Sequence, residues 1–105
     1  MADKDVKIRA QHKGDVTEVK ALMSHPMETG NRKDQKTGEV IPEHYITEVN
    51  CQHSGETVLT AFWGPSVSKN PYLSFEFKGA QPGDTVTISW VDNKGETGTG
   101  EATIK

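Results

Sequence analysis

The chain alternates apolar and polar residues over short runs, with a period of two that marks half-buried β-strands. Leu73, Phe75 and Phe77 fall on one side of a run and Ser74, Glu76 and Lys78 on the other. Val86, Ile88 and Trp90 oppose Thr85, Thr87 and Ser89 in the same way. Val19, Ala21 and Met23 oppose Glu18 and Lys20, while Tyr45, Val49 and Cys51 oppose Glu48, Asn50 and Gln52. Seven strands are predicted: Val6 to Ala10, Asp15 to Ser24, His44 to His53, Thr57 to Trp63, Pro71 to Lys78, Thr85 to Asp92 and Thr97 to Ile104. Ser54-Gly55-Glu56 and Asn93-Lys94-Gly95 suit hairpin connections. One-sided strands of this kind need a second sheet over the apolar face and water over the other. The expected fold is therefore all-β, an immunoglobulin-like β-sandwich of about seven antiparallel strands. Residues 1–105 form a single domain.

Two segments depart from the pattern. Pro26 to Pro42 is polar and charged, with no period of either kind, and at about 17 residues it is longer than most structureless connections. It is either functional or partly a hairpin. Thr57 to Trp63 is apolar on both faces, with Val58 and Phe62 on one and Leu59, Ala61 and Trp63 on the other. A sandwich covers one face of a strand from inside. The face bearing Leu59, Ala61 and Trp63 is read as the outer one. Either a partner protein covers it, with Trp63 as anchor, or the loop from Pro26 to Pro42 folds over it. The following loop is braced by Pro65 and Pro71 and carries Val67, Asn70 and Tyr72 as further partner contacts. A stiff loop loses little entropy on binding.

Composition agrees with a small, turn-rich β protein. Hydrophobic residues make up 32% and there are ten glycines, which does not suit a helical bundle. A net charge of −3 with scattered cations leaves no basic stripe for nucleic acid. No apolar run approaches the ~20 residues that span a bilayer. The charged N-terminal residues do not read as a secretory signal, so composition alone suggests the cytosol. A lone cysteine excludes an internal disulfide and a cysteine-based zinc site.

No catalytic constellation stands out, and the chain is expected not to be an enzyme and to need no cofactor. Cys51 falls on the apolar face, where a thiol behaves as a small hydrophobe. His12, His25, His44 and His53 are expected to be solvated or hydrogen-bonded. A sharper alternative is a copper(I) site at Met23, His25 and Met27, whose soft donors lie within five residues. An autonomous immunoglobulin-like binding domain is another.

Four segments together resemble the SoxZ family: Leu22 to Gly30, Ile41-Pro42 after its charged loop, Ser66 to Phe75, and Gly83 to Gly95. The likeness runs from about residue 6 to residue 104. It implies the small, non-catalytic β-sandwich subunit of the SoxYZ carrier in bacterial thiosulfate oxidation. In that family the partner subunit, SoxY, holds sulfur intermediates covalently on a cysteine in a C-terminal tail. This chain ends in Glu101-Ala102-Thr103-Ile104-Lys105 without such a cysteine. The resemblance also implies the periplasm, reached by export together with SoxY, and a heterodimer that meets the other Sox enzymes indirectly.

Overall fold

The computed structural model describes residues 6–105. Seven strands follow one another: β1 (Val6–Lys13), β2 (Val16–Met23), β3 (Ile46–His53), β4 (Glu56–Phe62), β5 (Tyr72–Lys78), β6 (Thr85–Asp92) and β7 (Thr97–Thr103). They form a three-stranded sheet in the order β1-β2-β5 and a four-stranded sheet in the order β4-β3-β6-β7, with every pair antiparallel. This is the expected immunoglobulin-like sandwich, with the fourth strand paired to the third. β1 runs three residues beyond its expected end at Ala10. Gly14, at φ +65°, turns the chain tightly enough for Lys13 to pair with Val16.

The alternation seen in the sequence sets the core. Val19, Ala21 and Met23 from β2 face Val49 and Cys51 from β3 and Val86, Ile88 and Trp90 from β6, all buried. Ile46 is also fully buried, although it lies out of phase with Val49. A bulge between Ile46 and Glu48 in the β3–β6 ladder resets the phase and turns Ile46 inward.

The segment from Pro26 to Pro42 is partly a hairpin. Lys33 bridges Val40, Ile41 donates its N–H to the Arg32 carbonyl (2.7 Å), and Asp34 donates to Glu39 (2.8 Å). Its base is tied down where Glu28 bridges His44. Residues 31–40 are exposed throughout, so this hairpin stands away from the body and makes no lid over β4.

The two long sides of the sandwich differ. On one, β1 lies close to β7, and main-chain bonds tie the chain end to β1: His12 donates to the Lys105 carbonyl (2.8 Å) and Lys105 to that of Ala10 (3.1 Å). The approach is so close that a Cβ on Gly100 would overlap the Val6 carbonyl. On the other side the edge strands are β4 and β5. Their inward side chains Leu59, Ala61, Leu73, Phe75 and Phe77 pack against the core yet stay only partly buried. The sandwich is shut at β1/β7 and open at β4/β5. Gly100→Ala is expected to destabilise the fold by about 1–3 kcal/mol through overpacking. A urea midpoint equal to the parent's would show that β1 does not lie so near.

Candidate functional site

The open side brings several of the expected contact residues together. Leu59 lies opposite Cys51 and Ala61 opposite Val49, and both partners are fully buried. Directly opposed residues of an antiparallel pair share a face. The face holding Leu59, Ala61 and Trp63 is thus the inner one, reversing the outward orientation read from the sequence. Neither a partner nor the Pro26 to Pro42 loop is needed to turn Trp63 from water: its ring packs against the chain's own core and is partly buried. A strand that is apolar on both faces cannot announce its own phase; β3 decides it. The side chain left outside is Phe62, at 78% exposure, opposite Glu48. Sequence reading had turned it inward.

The other expected contacts scatter. Val67 is partly buried and packs against the core, and Pro65 is exposed. Tyr72, 60% exposed, sits on the outer face of the three-stranded sheet opposite Leu22, away from the seam. Asn70 has a structural task. Its Oδ1 accepts the His25 N–H (3.1 Å), and its own N–H donates to the His25 carbonyl (2.9 Å). Asn70 holds φ +53°, a left-handed conformation that asparagine tolerates better than most residues. This clamp fixes the loop between β4 and β5.

His25 is the centre of a buried network that sequence reading did not assemble. Its Nδ1 accepts the Met27 N–H (3.0 Å), so Nε2 carries the proton and donates to Asp92 Oδ2 (3.1 Å). His44 Nε2 donates to the same oxygen (2.7 Å). Asp92 Oδ1 accepts the N–H groups of Lys94 (3.0 Å) and Glu96 (2.8 Å), closing the β6–β7 turn. His25 and Asp92 are both buried. Burial pushes the His25 imidazole below its ordinary range, outweighing the pull of Asp92. Burial pushes Asp92 upward, but the bonds from His25, Glu96, His44 and Lys94 more than offset this and hold its carboxyl below the usual range. The structure thus holds a neutral His25 on an anionic Asp92. His12 and His53 are hydrogen-bonded too, to Thr17 and Asp84.

His25, His44 and Asp92 place three donor atoms within 4.8 Å of one another, a spacing compatible with a metal ion. The protons argue otherwise. A metal at His25 Nε2 would need the proton on Nδ1, where the Met27 N–H already points. The copper alternative fares no better: Met23 is fully buried, and the Met27 sulfur accepts the Ile46 N–H (3.3 Å). The donors of both sets are already engaged inside the protein.

Cys51 is fully buried in mid-strand, and burial pushes its thiol up to about 11. A protonated, enclosed sulfur is neither a nucleophile nor an accessible attachment point.

The family model described as "Sulphur oxidation protein SoxZ" matches residues 6–103. The chain belongs to the SoxZ family. It is accordingly a component of the sulphur-oxidation (Sox) system. No curated protein matches this SoxZ-family chain. Solved structures resemble its fold. A variant superoxide reductase (neelaredoxin) from Ignicoccus hospitalis superposes with a TM-score of 0.69 at 17% identity, covering 99% of this chain and 81% of that one. A hypothetical protein from Pyrococcus horikoshii OT3 gives 0.65 at 18% identity, covering 95% and 87%. The reduced superoxide reductase from Archaeoglobus fulgidus gives 0.62 at 22%, covering 96% and 89%. At these identities the likeness is one of fold.

Two expectations follow from the buried groups. Below about pH 6.5 the unfolded chain protonates His25 while the folded chain excludes that proton, so acid lowers stability. Asp92 acts in the same direction further down, because its folded carboxyl titrates lower than its unfolded one. The melting temperature should therefore fall between about pH 7.5 and 5.5, and His25→Gln should flatten that slope; identical slopes would refute a neutral buried His25. Cys51 should resist iodoacetamide at pH 8 in the folded chain and react readily in urea, as mass spectrometry would register.

Proposed function

We propose that this SoxZ-family protein is the non-catalytic subunit of a periplasmic sulfur-carrier heterodimer. Its SoxY-like partner holds thiosulfate-derived intermediates on a cysteine in a C-terminal arm and presents them to the other Sox enzymes. The observation that carries this reading is the open β4/β5 seam with Phe62 beside it. Half-buried apolar side chains along one whole side of an otherwise closed sandwich are surface that a second polypeptide covers with profit in free energy. The sealed Cys51 supports the same division of labour, since this thiol is not accessible to hold a sulfur cargo. Leu59, Ala61 and Trp63 line the seam, Phe62 flanks it, and the loop bearing Pro65 and Val67 is held in place through Asn70. The periplasmic placement rests on the family resemblance, with export as a folded pair on the partner's leader.

Co-expression with a SoxY-like protein bearing a tail cysteine should yield an equimolar complex, and its failure to form would defeat the proposal. Phe62→Ala should leave the isolated chain within about 0.5 kcal/mol of its stability, because the ring touches mainly solvent. The same change should weaken the complex by roughly 10-fold or more, as loss of an aromatic anchor does. Trp63→Ala should lower both stability and affinity, because its ring also packs inward. An unaltered affinity in both variants, measured by calorimetry, would move the interface elsewhere.

A further inference from the structure

We infer that β4 accepts an additional β-strand from the partner subunit, so that the four-stranded sheet continues across the subunit boundary. This rests on the heterodimer reading above and specifies how the contact is made.

A sandwich with two sheets has four edges, and three of these are guarded. β1 and β7 lie against each other and share the chain end through the bonds to Lys105. β5 carries two charges, Glu76 and Lys78, in its last three residues, whereas β4 carries one, Glu56, at its start. β4 is different. A bulge opposite Cys51 and Gln52 disturbs its start, but from Leu59 onward the register is regular. Leu59, Thr60, Ala61 and Phe62 include no charge and no proline, the devices by which edge strands usually repel a neighbour.

The direction of the main chain sharpens the point. The Trp63 N–H donates to the Thr47 carbonyl (2.9 Å), so this residue turns its polar groups toward β3. In an antiparallel ladder that direction alternates. Ala61 and Leu59 also point at β3, and Thr60 and Phe62 present their N–H and C=O groups to the open side. Neither has a main-chain hydrogen bond outside its sheet among the described residues. An edge with directional donors and acceptors calls for an extended polypeptide; a lipid or small apolar ligand would leave those groups unpaired. An added strand would place alternate side chains over the inner seam beside Leu59 and Ala61 and against Phe62 outside. Its occupant is therefore an uncharged extended segment of the partner with apolar residues in alternation. The seam and the edge are continuous, so one chain covers both.

The test is amide hydrogen exchange, by NMR, on the full-length chain alone and in complex with the SoxY-like partner. The amides of Thr60 and Phe62 should exchange rapidly in the free chain and slow by at least about 100-fold in the complex. Those of Ala61 and Trp63 should be protected in both. Thr60→Pro removes one outward donor without touching the β3 ladder and should weaken the complex by about 10-fold or more, while Thr60→Ala, which keeps the N–H, should leave it within about threefold. A complex that forms with Thr60 and Phe62 still exchanging rapidly would overturn strand addition and leave the subunit reading standing. Concentration-dependent protection of both amides in the chain alone would assign the edge to a second copy and overturn the choice of occupant. Failure of any complex to form would overturn both readings together. The exchange measurement uses the unaltered chain, so it decides the matter even if Thr60→Pro does not fold.

Discussion

A single buried carboxylate joins the parts of this protein that its strands do not. Asp92, at the end of β6, accepts His25 from the segment after β2 and His44 from the segment before β3. Through its other oxygen it shapes the β6–β7 turn. His25 in turn clamps Asn70 and so the connection from β4 to β5. Four chain segments from both sheets meet within a few residues. A buried carboxylate without these donors would be costly to keep ionised, and the histidines would lose their acceptor. The loops at this end are thus held by mutual satisfaction of polar groups.

That constraint bears on function through position. The clamp on Asn70 sets where the chain leaves β4 and enters β5, and those two strands bound the open side of the sandwich. The rigid closure at β1/β7 and the polar hub leave one side free without loosening the rest. The proposed partner meets a preformed surface, which lowers the ordering cost of association. The same network explains why a tight cluster of two histidines and an aspartate need not be a metal centre: the protons on His25 are already assigned by the Met27 N–H.

The sulfur chemistry of the family fits a chain with no available thiol. Cys51 contributes to the core as a small apolar group, and burial keeps it protonated. In the proposed carrier, an inert scaffold thiol would avoid capture of the cargo at the wrong place. The fold likeness to superoxide reductases shows that the same sandwich recurs in proteins of other names, as sites vary on a common framework.

The period-two pattern already contained the seven strands and most of the core, because Val19, Met23, Val86, Ile88 and Trp90 stand on strands with one polar face. Family membership was legible in the motifs as well. The phase of β4 was not, since Val58 and Phe62 compete with Leu59, Ala61 and Trp63 for the inside. Only pairing with Val49 and Cys51 settled which set turned in and left Phe62 out. Ile46 escaped the pattern because a bulge shifts the phase. The hub escaped it because His25 and Asp92 are 67 residues apart. Local alternation reports how a strand divides its own side chains between two faces; which face becomes the interior, and which distant polar groups meet, depends on neighbours that only the folded chain supplies.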